Sequence, residues 1–412
     1  MPNTNFTVDW IGNEALRLAH EKISFLGTVN REFDASFRPG YGNTIRIRIP
    51  SQYTTRTGRV MDVQDGVQQS TALTIATQWG VDMRYNSQEM AQDLVNFQRL
   101  HLEPAMAELV AMVENGCISS ATIQTFNVVG VANSALTTLR YPGEARGRLN
   151  QMLSPKTGGG RALQLDSMTM ARLVDAFSGF NNPTSEISEQ YREGFISRTA
   201  MADFYENEKV WNMVNTADTS CNICTYTIVE GDVDISVSGL GATIPTAGMV
   251  FTIGHASSVS NRVHACHPET KAAYPHVQQF TLVSTRDTST LEFSPPIRLT
   301  GARKNVCNSD GTDIIVSSLS SAPIMFVGGP SSTYPQPLMY HRDAFTFATA
   351  ALPLMDDAIR CVVKTYDGIS LRVWEGSDIR NDEKLTRIDI LWGFAALRPQ
   401  WACRLIGASN TD

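Results

Sequence analysis

Residues 44–50 read TIRIRIP and residues 73–85 read LTIATQWGVDMRY. In both, apolar residues alternate with polar ones, the period of a strand with one face covered. In the first, Ile45, Ile47 and Ile49 lie on one face and Arg46 and Arg48 on the other, and Pro50 closes the run. In the second, the odd positions from Leu73 to Tyr85 are mostly apolar, which predicts one long strand. Between the two lie roughly twenty residues, Ser51 to Ser70, rich in Thr, Gln, Arg, Asp and Gly, too many for a tight hairpin turn. The reading is a two-stranded arm reaching off the body. An isolated hairpin is marginal in water, so such an arm is expected to rest on another molecule. Arg46 and Arg48 on its polar face, and Arg56, Arg59, Asp62 and Asp65 near its tip, are the candidate intersubunit pairing groups.

Upstream, residues 9–26 carry a mediocre amphipathic pattern and predict an N-terminal arm or short helix. Downstream, Ser87 is placed to cap a helix with Gln88 and Glu89 in its first turn, running to a stop at Asn115-Gly116. Such a helix would be the longest in the chain, on the order of 45 Å, with a kink at Pro104. Residues 117–165 are mixed, with short strands such as Ala121 to Val131 expected. A cleaner helix is predicted from Asp166 to a stop at Gly179, and a short one over Ser185 to Glu193. From about Thr216 to Ser332 the composition turns to Thr, Ser, Val and Ile. Strands are predicted at 225–229, 233–237, 250–253, 279–283, 290–293 and 314–316, which together suggest a compact β-barrel or sandwich. Helical and mixed character is expected again from Tyr340, ending in strand-rich residues 387–394.

The chain has 412 residues, 42 % of them apolar and 18 % charged, enough for a folded protein with more than one core. Its net charge of −7 comes without a basic tail, which disfavours tight phosphate-driven nucleic-acid binding. The opening residues lack the charged and apolar segments of a secretion signal, and no window approaches ~18 consecutive apolar residues, so neither secretion nor membrane spanning is expected. Seven cysteines in so long a chain suggest reduced thiols.

No motif brings a base and a nucleophile together. His341-Arg342-Asp343 resembles a kinase catalytic loop, but Ala348 stands where a metal-holding asparagine belongs. Gly158-Gly159-Gly160 is too short for a phosphate loop. Cys221 and Cys224 have zinc-knuckle spacing, and His264, Cys266 and His267 are possible completing ligands, although the second half lacks a clean pair. Thiols sitting on strands and loops explain these residues more simply. No enzyme, cofactor or metal is expected, and Trp79, Trp211, Trp374, Trp392 and Trp401 read as core or interface anchors.

Several segments resemble the major capsid proteins of tailed double-stranded DNA phages, in the subgroup typified by the coat protein of phage P-twenty-two. They are Gly160 to Asp166, Ser188 to Gly194, His267 to Lys271, Gln278 to Phe280, Ser294 to Ile297, Asn305-Val306, Tyr340 to Phe345 before Leu352-Pro353, and Arg387 to Asp389 before Arg398-Pro399. The resemblance covers nearly the whole chain from about residue 40 and lies in the order and spacing of these segments. It implies an α+β chain of the Johnson fold: an N-terminal arm (1–43), an extended hairpin or E-loop (44–86), a spine helix (87–116), the first part of an axial and peripheral α/β domain (117–217), an inserted β-barrel-like domain (218–335), and a return to both domains (336–412). The implied function is self-assembly into pentamers and hexamers of an icosahedral shell. A scaffolding protein, a portal protein and a decoration protein are the implied partners. The procapsid, assembled in host cytoplasm, would expand as it encloses double-stranded DNA and become the capsid of a virion. The alternative of the same fold is an encapsulin-type compartment, which encloses enzymes.

Overall fold

The structure, a computed structural model, describes residues 8–33, 37, 42–86, 101–132, 134–156, 160–177, 202–215, 220–223, 228–238, 244–254, 262–285, 289–314, 322–329, 332–355, 360–366 and 368–407. The architecture is mixed α+β, as expected from the sequence. The chain divides into two compact units, one of residues 1–47, 70–118 and 345–397, the other of 48–69, 119–344 and 398–412.

In the first unit, strand Glu383–Ala396 is the backbone of an antiparallel sheet. One of its edges pairs with Thr77–Asn86; the other pairs first with Ile369–Asp378, which in turn pairs with Arg360–Tyr366, and then with Phe345–Ala350. Arg372 and Asp389 face each other across this sheet, buried and 2.7 Å apart, and Arg387 reaches the second Asp389 oxygen at 2.7 Å. The helix Val8–Lys22 is followed by a turn whose backbone is held by a single buried carboxylate. Glu114 Oε1 accepts the N–H groups of Ser24, Phe25 and Leu26 at 2.7, 2.8 and 3.3 Å.

The predicted long strand over 73–85 is two strands. Gln69–Thr74 pairs with Thr44–Ile49, while Thr77–Asn86 joins the sheet. The alternation itself holds through the break: Leu73, Ile75 and Tyr85 are buried and the even positions exposed. The partner changes because Ile75 N–H turns to Asn43 O at 2.8 Å, and because Gly393 lets the Thr74 carbonyl come where a Cβ would lie, 2.3 Å away. Ser70, read as loop, belongs to the arm strand.

The helix described over Glu103–Gln124 passes through Asn115-Gly116 without stopping, so the predicted stop is wrong. Gly116 is there for packing: a Cβ would sit 2.9 Å from Trp79 Cη2 and 3.3 Å from Trp392 Cη2, and those two indoles meet edge to face at 5.1 Å. Residues 101–102, just ahead of Pro104, take the wider π-helical turn, a local irregularity of the kind a proline introduces. Residues 87–100, which carry the predicted cap and the start of that helix, lie outside the described residues, as does the helix predicted at 185–193.

In the second unit a five-stranded sheet runs in the order Val128–Gly130, Ala402–Ile406, Leu338–His341, Arg161–Leu165, Asp203–Glu206. The outer pairs are parallel and the inner pairs antiparallel. Helices Arg140–Gln151 and Ser167–Phe177 contribute Ala145, Leu149, Met170 and Leu173 to its apolar core. The second was expected from Asp166, which caps it by accepting Thr169 N–H at 3.1 Å; its predicted stop at Gly179 lies outside the described residues. The first was not, because Pro142, Gly143 and Gly147 hide its period. The strand expected over 121–131 is only Val128–Gly130, since the preceding helix keeps Ala121 to Gln124. From Tyr340 on, the described residues form strands and short 3-10 turns in place of the expected helical character.

Six strands close a barrel: Ser220–Ile223, Asp234–Ser238, Val250–Ile253, Gln279–Thr285, Thr290–Ser294 and Pro323–Phe326. Alternate residues point inward and build an aromatic core in which Phe251, Phe280 and Phe293 lie 5.3 to 5.9 Å apart. The strand predicted at 225–229 is not seen at Ile228 and Val229; Ser220–Ile223 supplies that edge, and residues 225–227 lie outside the described set. Ile314 is likewise outside any strand, and 315–316 are not described.

Candidate assembly surface

The arm is built from its root outward. At the root, Leu73 and Ile75 are buried in a cluster with Ala348 and Ala395, and Ile47 packs against it half-buried. Thr44 and Thr74 hydroxyls meet at 3.0 Å across the two strands. Along strand Thr44–Ile49 the alternation is kept, with Ile45, Ile47 and Ile49 partly covered and Arg46 and Arg48 exposed.

Beyond Pro50 regular pairing ends, and side chains take over from the backbone. Gln64 Oε1 accepts Thr54 N–H and Gln64 Nε2 donates to Thr54 O, both at 2.8 Å, so one amide does what a strand residue would. Ser51 Oγ donates to Val67 O at 3.3 Å, and Arg303 Nη2 donates to the same carbonyl at 2.9 Å. Arg56 donates to Gly58 O. These bonds shape residues 51–68 without burying them.

The structure puts the six predicted residues on one arm but does not pair them. Among the described residues none of Arg46, Arg48, Arg56, Arg59, Asp62 and Asp65 makes an ion pair. All but the two strand arginines lie in the tip, and all six are exposed. Beside them the tip exposes a set of apolar side chains that the sequence reading did not single out. Val60 is 83 % exposed, Met61 75 %, Val63 72 %, Tyr53 62 % and Val67 60 %. Single exposed apolar residues are ordinary; five on one short loop are not. The run Val60-Met61-Asp62-Val63, apolar within a polar loop, was the available signal.

The metal candidates divide. The Cys221 side chain and Cys224 lie outside the described residues. His264 Nδ1 is 3.0 Å from Tyr274 O, and His267 Nδ1 accepts Glu269 and Thr270 N–H at 3.1 and 3.2 Å. Cys266 lies beside Cys307 on the neighbouring strand, and Cys307 Sγ is 3.8 Å from both His264 O and Ala265 O. The neighbouring thiol, with burial, pushes the Cys266 thiol up. Among the described residues no group of three or more His, Cys, Asp or Glu is set to hold a metal ion. His341-Arg342-Asp343 ends a strand and forms a 3-10 turn.

No family model and no curated protein matches the chain. Solved structures do. A structure described as Mycobacterium phage Che8 is 10 % identical over 93 % of this chain and 90 % of its own, with a TM-score of 0.48. The capsid structure of the cyanophage P-SCSP1u is 10 % identical over 90 % of this chain and 84 % of its own, with a TM-score of 0.44. A virus-like particle from Pyrococcus furiosus is 8 % identical over 96 % of this chain and 98 % of its own, with a TM-score of 0.38.

Proposed function

We propose that this chain is a shell subunit, the major capsid protein of a tailed double-stranded DNA phage. The observation that carries the reading is the arm: a two-strand ladder anchored at its root, ending in eighteen residues, 51–68, nearly all exposed, with unpaired charges and exposed apolar side chains together. A loop of that make gains nothing for a monomer and completes its contacts only on a neighbour. The ordered segments resembling phage coat proteins point the same way.

On this reading copies join as pentamers and hexamers around a scaffolding protein, take in DNA through a portal, and expand from procapsid to virion capsid. Many weak arm contacts repeated over a shell give multivalent stability while each contact stays reversible. Expansion is a switch between two packings of one subunit, with the arm and N-terminal helix the parts that move against neighbours. Residues 218–335 are an inserted module that stabilises the subunit or receives a decoration protein. No step needs catalysis.

The test is to replace residues 51–68 by a short Gly-Ser turn. The expected outcome is a chain that melts cooperatively near the wild-type temperature yet forms no closed particles. Closed particles from this variant would remove the arm from the account.

A further inference from the structure

One end of the five-stranded sheet gathers positive charge that the described residues leave largely unneutralised. Arg161 opens its strand directly opposite His341 on the next. Arg342 follows His341 and is exposed, and Arg398 stands three residues before Trp401 at the start of the third strand. The Arg398 guanidinium stacks 4.2 Å over the Trp401 ring, and the His341 ring meets the same indole edge-on at 5.6 Å. Trp401 is itself fixed, its Nε1 donating to Met152 O at 3.1 Å.

Beneath them Arg161 is only 8 % exposed. Its Nη2 donates to Asn150 Oδ1 at 2.9 Å and Ser154 O at 3.0 Å, while its Nε is buried with no partner. Burial and the nearby Arg146 both lower its pKa, so a fourth guanidinium feels this one. Asp343 lies 3.7 Å from His341 Nδ1. Its pull is outweighed: burial first, then Arg161, Arg398 and Arg342, hold His341 below the usual histidine range. Among the described residues no carboxylate pairs with Arg146, Arg161, Arg342 or Arg398, and neither Arg342 nor Arg398 donates a guanidinium hydrogen bond.

Guanidiniums with open edges bind oxyanions two bonds at a time, and stacking on an aromatic ring fixes where the edge points. Two such open edges above the buried Arg161, against the one carboxylate of Asp343, favour a multiply charged oxyanion over a single carboxylate. We propose that this sheet end, with Arg342 and Arg398 at its mouth and Arg161 beneath, binds a phosphate group. The source is free phosphate or the backbone of duplex DNA; only the second rests on the shell reading.

The test uses the full chain at low salt, with inorganic phosphate by calorimetry and a short DNA duplex by anisotropy. Sodium chloride at equal ionic strength and polyglutamate are the controls. Wild type is expected to bind phosphate, and Arg342→Gln with Arg398→Gln to weaken it about tenfold or more, the loss of roughly one bidentate contact. The corresponding double lysine variant should recover part of it, and Arg380→Gln, an exposed arginine outside this sheet, should change nothing. If the double glutamine variant fails to fold, Arg342→Gln alone serves, since that side chain is exposed. Duplex binding that needs the same two arginines assigns the phosphate to nucleic acid; phosphate binding without it assigns a free anion and leaves the shell reading untouched. No phosphate binding above chloride, equal binding by the glutamine variants, or a preference for polyglutamate would overturn the site.

Discussion

Arg404 shows how much one buried residue can organise. It is fully buried, and its guanidinium donates to Thr125 O at 2.6 Å, Gly248 O at 2.6 Å, Thr281 Oγ1 at 2.7 Å, Gln336 Oε1 at 3.0 Å and Ile123 O at 3.4 Å. Those acceptors come from the end of a helix, the barrel and the strand lead-in, so one side chain holds three elements. Burial pulls its pKa down to about 9, and it stays charged at neutral pH. Arg404→Met leaves the acceptors without a donor; each buried unmet group costs ~1–3 kcal/mol, so a loss of about 3 kcal/mol or more is expected in denaturant unfolding. A loss within about 0.5 kcal/mol would contradict this role. Nothing in the run Ala402-Cys403-Arg404-Leu405-Ile406 announces the role, because all five acceptors are distant in sequence. The six charges of the arm were legible for the opposite reason: they belong to one polar stretch between two patterned strands.

Among the elements, what depends on local period was readable and what depends on a partner was not. Alternation placed the arm strands, the odd-numbered inward face from Leu73 to Tyr85, and most strands of the barrel. It did not show that the chain changes partner at Ile75, since both partners see the same face. The spine helix is the clearest miss. Gly116 has the look of a helix stop, yet the helix continues to Gln124 and the glycine makes room for Trp79 and Trp392. Helix propensity alone says Gly116→Ala should stabilise by about 1 kcal/mol. Contact at 2.9 Å with a rigid indole held by a second one says the reverse, because overpacking a filled site costs ~1–3 kcal/mol. The expected net result is a less stable protein in thermal melts, with Trp79→Phe relieving the effect in the double variant. A more stable Gly116→Ala would mean that the indoles shift freely.

At the scale of the whole molecule, a folded chain carries an arm with unpaired charges and exposed apolar residues together, and the proposed reading of that arm makes assembly the central claim. The measurement that tests it most directly is the size distribution of the purified full chain, by light scattering and negative-stain microscopy, with and without lysate of phage-infected cells. Uniform closed shells or capsomer-sized rings are the predicted result. A monomer or dimer under every condition would contradict the account.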